Sequence, residues 1–230
     1  MAVLYFGREE PHPAQELVVC LFLSIRINSS RVFVGSIPNP SNTFSTPYGI
    51  SVDPISNTIY VVSRDSYRIM SFKSIWSNGT VVLGGINGSG PNRTQLPVPY
   101  GVHFDYISNS LLVSLRDANA VIRYVLDADS YTHVAGNING SAGATSTSLN
   151  EPSNLTMDPM GHIYVVDTRN SRIQFFDHDR SDGVTIAGFS GLGNNNATAL
   201  NAPRAVRLDT QLNLYVADTN HHRIQKFLRY

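Results

Sequence analysis

The sequence has little of several features that often reveal a function. It holds a single cysteine, Cys20, among 230 residues, so it can form neither an intrachain disulfide nor a cysteine-based zinc site. Charged residues make up only 15% of the chain, and lysine plus arginine equal aspartate plus glutamate. This balance argues against a strongly basic nucleic-acid-binding domain, although a local basic patch is compatible with a neutral total.

Long apolar runs are also lacking. The longest, Leu17 to Ile25, is too short to span a bilayer. Because Glu9 and Glu10 follow Arg8 and no clear cleavage site follows the run, we favour a buried strand over a signal peptide. Asn-x-Ser/Thr sites tilt the localisation slightly towards extracellular, but cytoplasmic and extracellular locations both stay open. These sites are Asn28, Asn78, Asn87, Asn92, Asn139, Asn154 and Asn196.

Four similar segments follow one another along the chain. They begin with PYGISVD, PYGVHFD, PSNLTMD and PRAVRLD, at Pro47, Pro99, Pro152 and Pro203, and so recur every 51 to 53 residues. The first apolar stretch of each segment ends at an aspartate in the same register: Asp53, Asp105, Asp158 and Asp209. A fixed period of about fifty residues is typical of a repeat architecture.

Each segment contains short apolar stretches that we name strands a to d in chain order. Strand a is of the GISVD type, strand b of the IYVV type, strand c of the RIQFF type and strand d of the TVVLG type. Strand d ends at Gly85, Gly136 and Gly188, and a matching stretch ends at Gly35. β-branched and aromatic residues dominate, and no stretch shows sustained helical periodicity. We therefore predict an all-β fold, a β-propeller of about four four-stranded blades.

The third and fourth segments carry a family resemblance. IYVVDTRNSRIQFF and LYVADTNHHRIQKF resemble the NHL repeat, whose signature is an apolar strand, Asp, a polar pair, Asn-His-Arg-Ile and a closing aromatic residue. The resemblance covers about Gly35 to Phe227 and is weak in the second segment, where Leu115 replaces the Asp and Ala120 the Arg. It implies a propeller, typically six-bladed. Relatives include substrate-recognition ends of ubiquitin ligases, RNA readers, extracellular sensors and a zinc-dependent lyase, so the fold does not give the function.

The number of segments raises the question of ring closure. We predict an N-terminal segment at 1–30 without an assigned fold and a propeller at 31–230, with repeats near 47–85, 99–136, 152–188 and 203–227. Arg31 to Gly35 would complete the last blade beside Arg223 to Phe227 and so remove an exposed sheet edge. Val18 to Leu23 stands where a competing strand c would lie, which favours an open fragment of a larger propeller. We prefer closure at four blades.

One end of the predicted ring collects arginine, tyrosine and polar residues. Because strands alternate in direction, the d–a loops and the b–c turns share this end, and loops on a rigid scaffold often carry function. Arg and Tyr are frequent binding hot spots. The predicted binding residues are Tyr48, Arg64, Tyr100, Arg116, Arg169, Asn170, Arg204, Asn220 and His221.

A second set of polar residues lies within strand a, which is the innermost strand of a propeller blade. Period-two alternation places them on the face opposite the apolar set, towards the central channel. These channel candidates are Ser51, His103, Thr156 and Arg207, although a structural role is favoured for them as well. For other conspicuous residues a structural role is favoured: Asp167 and Asp218 pair with Arg172 and Arg223, the turn aspartates cap their own backbone, and the strand-d glycines permit bends.

The sequence lacks the usual catalytic patterns. The histidines occupy unrelated repeat positions, and HExxH, CxxC, GxSxG and a phosphate-binding loop are all missing. We therefore expect no catalytic residue, metal or cofactor. We expect a scaffold that binds a protein or peptide, for example as the recognition part of a ubiquitin-ligase-type system. Single-stranded RNA binding on the same surface is the first alternative, and a metal-dependent lyase or hydrolase the second.

Overall fold

The computed structural model describes residues 46–73, 79–85, 94–178, 180–188 and 198–229. The N-terminal segment, with the apolar run at 17–25 and the predicted strand at 31–35, lies outside the described residues. Within the described ranges, no helix has the length and apolar character needed to cross a membrane.

The described chain folds into antiparallel sheets whose strands follow sequence order. The first sheet contains β1 (Pro47–Val52), β2 (Ile59–Ser63), β3 (Arg68–Phe72) and β4 (Thr80–Gly84). The second contains β5 (Pro99–Asp105), β6 (Ser110–Leu115), β7 (Ala120–Val125) and β8 (Thr132–Gly136). The third contains β9 (Pro152–Met157), β10 (Ile163–Asp167), β11 (Arg172–Phe176) and β12 (Val184–Gly188). The fourth contains β13 (Pro203–Leu208), β14 (Leu214–Asp218) and β15 (Arg223–Phe227).

The first strand of each sheet lies at the centre of the molecule. Strand β1 packs on β5, β5 on β9, and β9 on β13. Each sheet is therefore a blade whose strand a is innermost, which confirms the predicted all-β propeller of about four blades. In the described residues the fourth blade has strands a, b and c, and the strand predicted to complete it falls outside them.

The hydrophobic core lies between neighbouring blades. Tyr60 of the first blade stacks on Phe104 of the second with ring centroids 5.0 Å apart, and fully buried Leu155 and Val165 continue the core into the third. Burying a side chain of this size contributes about 1.5–3 kcal/mol. The alternation seen in the sequence thus gives the blades apolar faces, which pack consecutive blades against each other.

The turn between strands a and b is fixed by its aspartate, as predicted. The carboxylate of Asp105 accepts the backbone N–H of Ile107 at 3.0 Å, and Asp158 accepts that of Met160 at 3.0 Å. The first and fourth blades repeat this contact at Asp53 and Asp209. Such Asx turns explain the recurring aspartate without any ligand.

The strand-d glycine of the first blade differs by one residue from the sequence alignment. Gly84 pairs with Arg68 as Gly136 pairs with Ala120 and Gly188 with Arg172, so Gly84 rather than Gly85 is the equivalent residue. The TVVLGG stretch contains two adjacent glycines, and only the register of β3 with β4 separates them. All three paired glycines have positive φ.

Candidate functional site

Backbone hydrogen bonds confirm that the d–a loops and the b–c turns lie at one end of the ring. Arg64 N–H donates to Thr46 O at 3.1 Å, and Arg116 N–H donates to Val98 O at 3.0 Å. Equivalent bonds occur in the other two blades, where Arg169 N–H donates to Asn150 O and Asn220 N–H donates to Asn201 O. We call this end, residues 46–48, 64–67, 98–100, 116–119, 150–153, 168–171, 201–204 and 219–222, the loop surface.

Two tyrosines and two arginines stack on the loop surface between the first and second blades. The rings of Tyr48 and Tyr100 are 4.3 Å apart. The guanidinium carbon of Arg64 lies 5.5 Å and 5.2 Å from these two ring centroids, and that of Arg116 lies 5.1 Å from Tyr100. These cation–π contacts hold both arginines in place above the rings.

A glutamate links this stack to the third blade. Arg116 donates from Nε and an NH2 nitrogen to one oxygen of Glu151, at 3.0 and 2.6 Å, and Arg169 Nε lies 3.1 Å from the other oxygen. Burial raises the pKa of Glu151, but the hydrogen bonds from Arg169 and Arg116 outweigh it and hold the pKa below its usual value. We call Tyr48, Arg64, Tyr100, Arg116, Glu151 and Arg169 the Arg–Tyr–Glu cluster.

Glu151 is the member that the sequence analysis missed. It stands immediately before Pro152, where the other segments have Thr46, Val98 and Ala202. The similarity between the segments begins at each proline, and the position before it also faces the loop surface. The signal in the sequence was that Glu151 is charged, whereas the residues at the three equivalent positions are not.

Burial also changes the pKa of the Tyr100 hydroxyl. Burial, followed by a hydrogen bond with Tyr48, raises the pKa of Tyr100 to about 12. The phenol therefore stays protonated at neutral pH, and its oxygen accepts a hydrogen bond from Arg116 at 3.1 Å.

The other predicted loop residues do not join the cluster. Asn170 is buried, and its amide donates to Gly143 O at 2.7 Å and to Asp167 at 2.8 Å. Asn220 bonds Asn201, and His221 Nδ1 lies 2.9 Å from Asp218. These contacts hold the b–c turns, while Arg204 is half-buried on the fourth blade.

The channel candidates divide into two kinds. Ser51 Oγ accepts the N–H of Phe104 at 2.9 Å, so it joins the inner strands of the first two blades, and Thr156 is buried. His103 and Arg207 are desolvated. Their imidazole and guanidinium groups take no part in the contact between Ser51 and Phe104. In the ranges described, no three His, Cys, Asp or Glu side chains converge as a metal-binding group.

Asn154 shows that one glycosylation motif is not a surface site. This residue is 5% exposed, and its amide oxygen accepts the N–H of Val206 at 3.3 Å. A glycan requires an exposed asparagine, so this motif adds nothing to the localisation argument.

Comparison with protein families places the NHL repeat on the two C-terminal blades. Residues 149–176 and 200–227 match the NHL repeat model. The chain is 26% identical over 148 residues to NHL repeat-containing protein 3 of Mus musculus, covering 61% of this chain and 42% of that protein. It is 23% identical over 212 residues to protein SUPPRESSOR OF QUENCHING 1, chloroplastic, of Arabidopsis thaliana, covering 80% of this chain. The chain spans only 20% of that second relative.

Solved structures share the fold at low identity. A Bacteroides thetaiotaomicron protein of unknown function has a TM-score of 0.65 at 16% identity, covering 79% of this chain and 47% of its own. An auxiliary nutrient binding protein of the same organism gives 0.60 at 16%, covering 77% and 46%. Virginiamycin B lyase from Staphylococcus aureus gives 0.53 at 16%, covering 84% and 58%. These neighbours include a binding protein and an enzyme, so they establish the fold alone.

Proposed function

We propose that this chain, whose two C-terminal blades match the NHL repeat, is a non-enzymatic scaffold that binds a protein or peptide on its loop surface. The observation that carries the proposal is the Arg–Tyr–Glu cluster, which spans three blades at one end of the ring. Arg and Tyr are the residue types that most often dominate binding energy at protein interfaces.

The cluster is arranged in advance for a ligand. Arg64 and Arg116 have side chains 29% and 25% exposed and are already held on the tyrosine rings. Ordering a free arginine on binding costs roughly 0.5–1.5 kcal/mol, and this cost is reduced for side chains that are fixed before the ligand arrives.

Arg169 indicates the chemistry of the bound segment. Its side chain is 63% exposed, and its partner Glu151 already receives two hydrogen bonds from Arg116. A carboxylate on the partner can therefore replace Glu151 at Arg169 without leaving Glu151 unpaired. We propose that the bound segment carries an acidic side chain at this position.

Two of the described histidines hold turns of the blades. His221 contacts Asp218 and His162 contacts Asp158, each at 2.9 Å. A module of this kind would present its ligand to other proteins, for example in a ubiquitin-ligase-type assembly.

RNA binding on the same surface is less well supported. Tyr100 is 3% exposed beneath Arg64 and Arg116, so a base can stack on it only after an arginine moves away. Glu151 and Asp65 also bring negative charge next to the arginines that would contact phosphates.

The proposal is tested by selecting peptides from a random library on the purified chain and measuring their affinity by fluorescence anisotropy. We expect Arg169→Ala to weaken binding of the selected peptides about tenfold, a loss of about 1.4 kcal/mol, as for the minority of interface residues that cost more than about 1 kcal/mol when truncated. Arg180→Ala is the matched control, because the Arg180 side chain is 60% exposed on the c–d turn at the opposite end.

Two outcomes would overturn the proposal. One is selected peptides that bind Arg169→Ala and the unmodified chain equally well. The other is an absence of selected peptides together with salt-sensitive binding of a random RNA pool that depends on Arg169, which would establish the RNA alternative.

A further inference from the structure

The innermost strands of the first and last blades approach each other through one side chain. Arg207, in the middle of β13, reaches across to β1, where an NH2 nitrogen of its guanidinium lies 3.5 Å from Ile50 O. The guanidinium therefore lies in the central channel, between the inner strands.

This guanidinium has no described counter-ion. With the described residues it makes one hydrogen bond, at the long limit of such bonds, although a guanidinium carries five N–H donors. Burial lowers the pKa of Arg207, with no carboxylate opposing that effect. A buried charge without a partner is costly, so such a group normally has an anion beside it.

His103 lies on the inner strand of the second blade and borders the same space. Its Nδ1 is buried, and no hydrogen-bond partner is found for it among the described residues. Burial, and after it the Arg207 charge, lowers the pKa of His103 to about 4. The ring is therefore neutral at pH 7, and a neutral imidazole can place its one N–H on Nδ1 as a donor.

The nearby carboxylate is already used. Asp105 lies 2.7 Å from Arg123 and also accepts hydrogen bonds from Ser108, at the outer end of the strand. It cannot neutralise Arg207 without abandoning Arg123 and its own turn. Among the described residues, the channel thus contains one cation without a counter-ion, Arg207, and one neutral donor without an acceptor, His103.

We propose that the central channel binds a small oxyanion, with the Arg207 guanidinium and the His103 Nδ1–H as its donors. The guanidinium fork matches the paired oxygens of a carboxylate or a phosphate. This site is separate from the loop surface, so either proposal can fail without the other.

The test is the thermal unfolding temperature of the 230-residue chain in Tris–HCl, with sodium phosphate, sodium acetate or sodium chloride added at equal ionic strength. We expect phosphate or acetate to raise the unfolding temperature with a half-saturation in the millimolar range, since ligand binding to the folded state stabilises it. The arm that responds identifies the anion as phosphate-like or carboxylate-like. The response that persists in Arg207→Met measures the non-specific salt effect.

The variants test whether Arg207 binds an anion or has a structural role. We expect Arg207→Met to lose the saturable response while unfolding at the same or a higher temperature than the unmodified chain in chloride. We expect Arg207→Lys to weaken half-saturation about tenfold, and His103→Leu to weaken it several-fold. The exposed control Arg180→Met should keep the full response. The proposal would be overturned if phosphate and acetate raise the unfolding temperature of the unmodified chain no more than that of Arg207→Met. It would also be overturned if Arg207→Met unfolds at a lower temperature than the unmodified chain in chloride.

Discussion

Arg172 Nε donates to Asp167 Oδ2 at 2.7 Å across the b–c turn of the third blade, with side chains that are 5% and 0% exposed. The same guanidinium donates to the carbonyls of Ala144, Thr145 and Ser148. The pair therefore fastens the preceding d–a loop to the blade. The second blade has Leu115 opposite Ala120 instead, so the pair serves loop attachment and is not required for a blade to form.

Arg172→Met should lower the free energy of unfolding by about 3–5 kcal/mol, because it leaves Asp167 buried and partly unpaired. Arg223→Met in the fourth blade is the matched control. Arg223 is 33% exposed, and Asp218 retains hydrogen bonds from His221 and Gln225, so a smaller loss is expected. Urea unfolding monitored by tryptophan fluorescence measures both. Equal losses would show that burial does not decide the strength of this pair.

Gly136 is expected to tolerate alanine poorly. An added Cβ would lie 2.2 Å from Asn119 O, and the residue has φ of +93°. Gly140 has φ of +76°, but its Cβ would lie 3.5 Å from Ala118 O, which is ordinary contact. Both substitutions carry the left-handed backbone strain of about 1–2 kcal/mol. We expect Gly136→Ala to cost at least about 2 kcal/mol more than Gly140→Ala, because only the first must move backbone atoms.

Stability should depend on pH through His103. Its pKa is lowered to about 4 by burial and by Arg207, with Arg123 acting in the same direction and Asp105 against it, while the ordinary value is 6.5. Between these values the unfolded chain binds a proton that the folded chain does not. The contribution of neutral His103 to the free energy of unfolding is therefore fully present above pH 6.5. Up to about 2–3 kcal/mol of it is lost as the pH is lowered towards 4.

His103→Asn should flatten this decline, measured by urea unfolding from pH 4.5 to 7.5 in buffer without phosphate or carboxylate. If the variant and the unmodified chain lose stability in parallel, His103 does not carry the dependence.

The repeat made the fold predictable because each blade uses the same register, aspartate turn and inner strand. Particular side chains were less predictable. Asn170 and His221 occupy turn positions like those of exposed polar residues, yet the three-residue turns aim them back at Asp167 and Asp218. The Arg–Tyr–Glu cluster depends on contacts between different blades, and Glu151 reaches Arg116 across 35 residues. The alternation along a strand predicts the sheet face on which a residue lies, but it does not predict which residue of the next blade it contacts.

The outer edge of the fourth blade is uncovered in the described part of the chain. Ile224 is 68% exposed, whereas Ile69 and Ile173, at the same register, are 0% exposed. In the first blade Ile69 is paired with Leu83 of strand d and packs in the same cluster as Leu96. An exposed strand edge of this kind invites pairing.

We expect Arg31 to Gly35 to pair with β15, with Val34 opposite Ile224 as Leu83 is opposite Ile69. In a Cys20→Ser background, Val34→Cys with Ile224→Cys should form a disulfide under mild oxidation, detected by non-reducing electrophoresis and mass spectrometry. Val32→Cys with Ile224→Cys is the register control and should form little. Absence of the first disulfide would favour an arc that further blades complete.

Hydrogen–deuterium exchange of the chain with and without a selected peptide tests the central claim most directly, because it reports where the ligand sits. We expect slower exchange at residues 46–48, 64–67, 116–119 and 168–171 of the loop surface, and unchanged exchange at the a–b turns 54–57 and 106–109 of the opposite end. Protection confined to the opposite end, or spread equally over both ends, would contradict it.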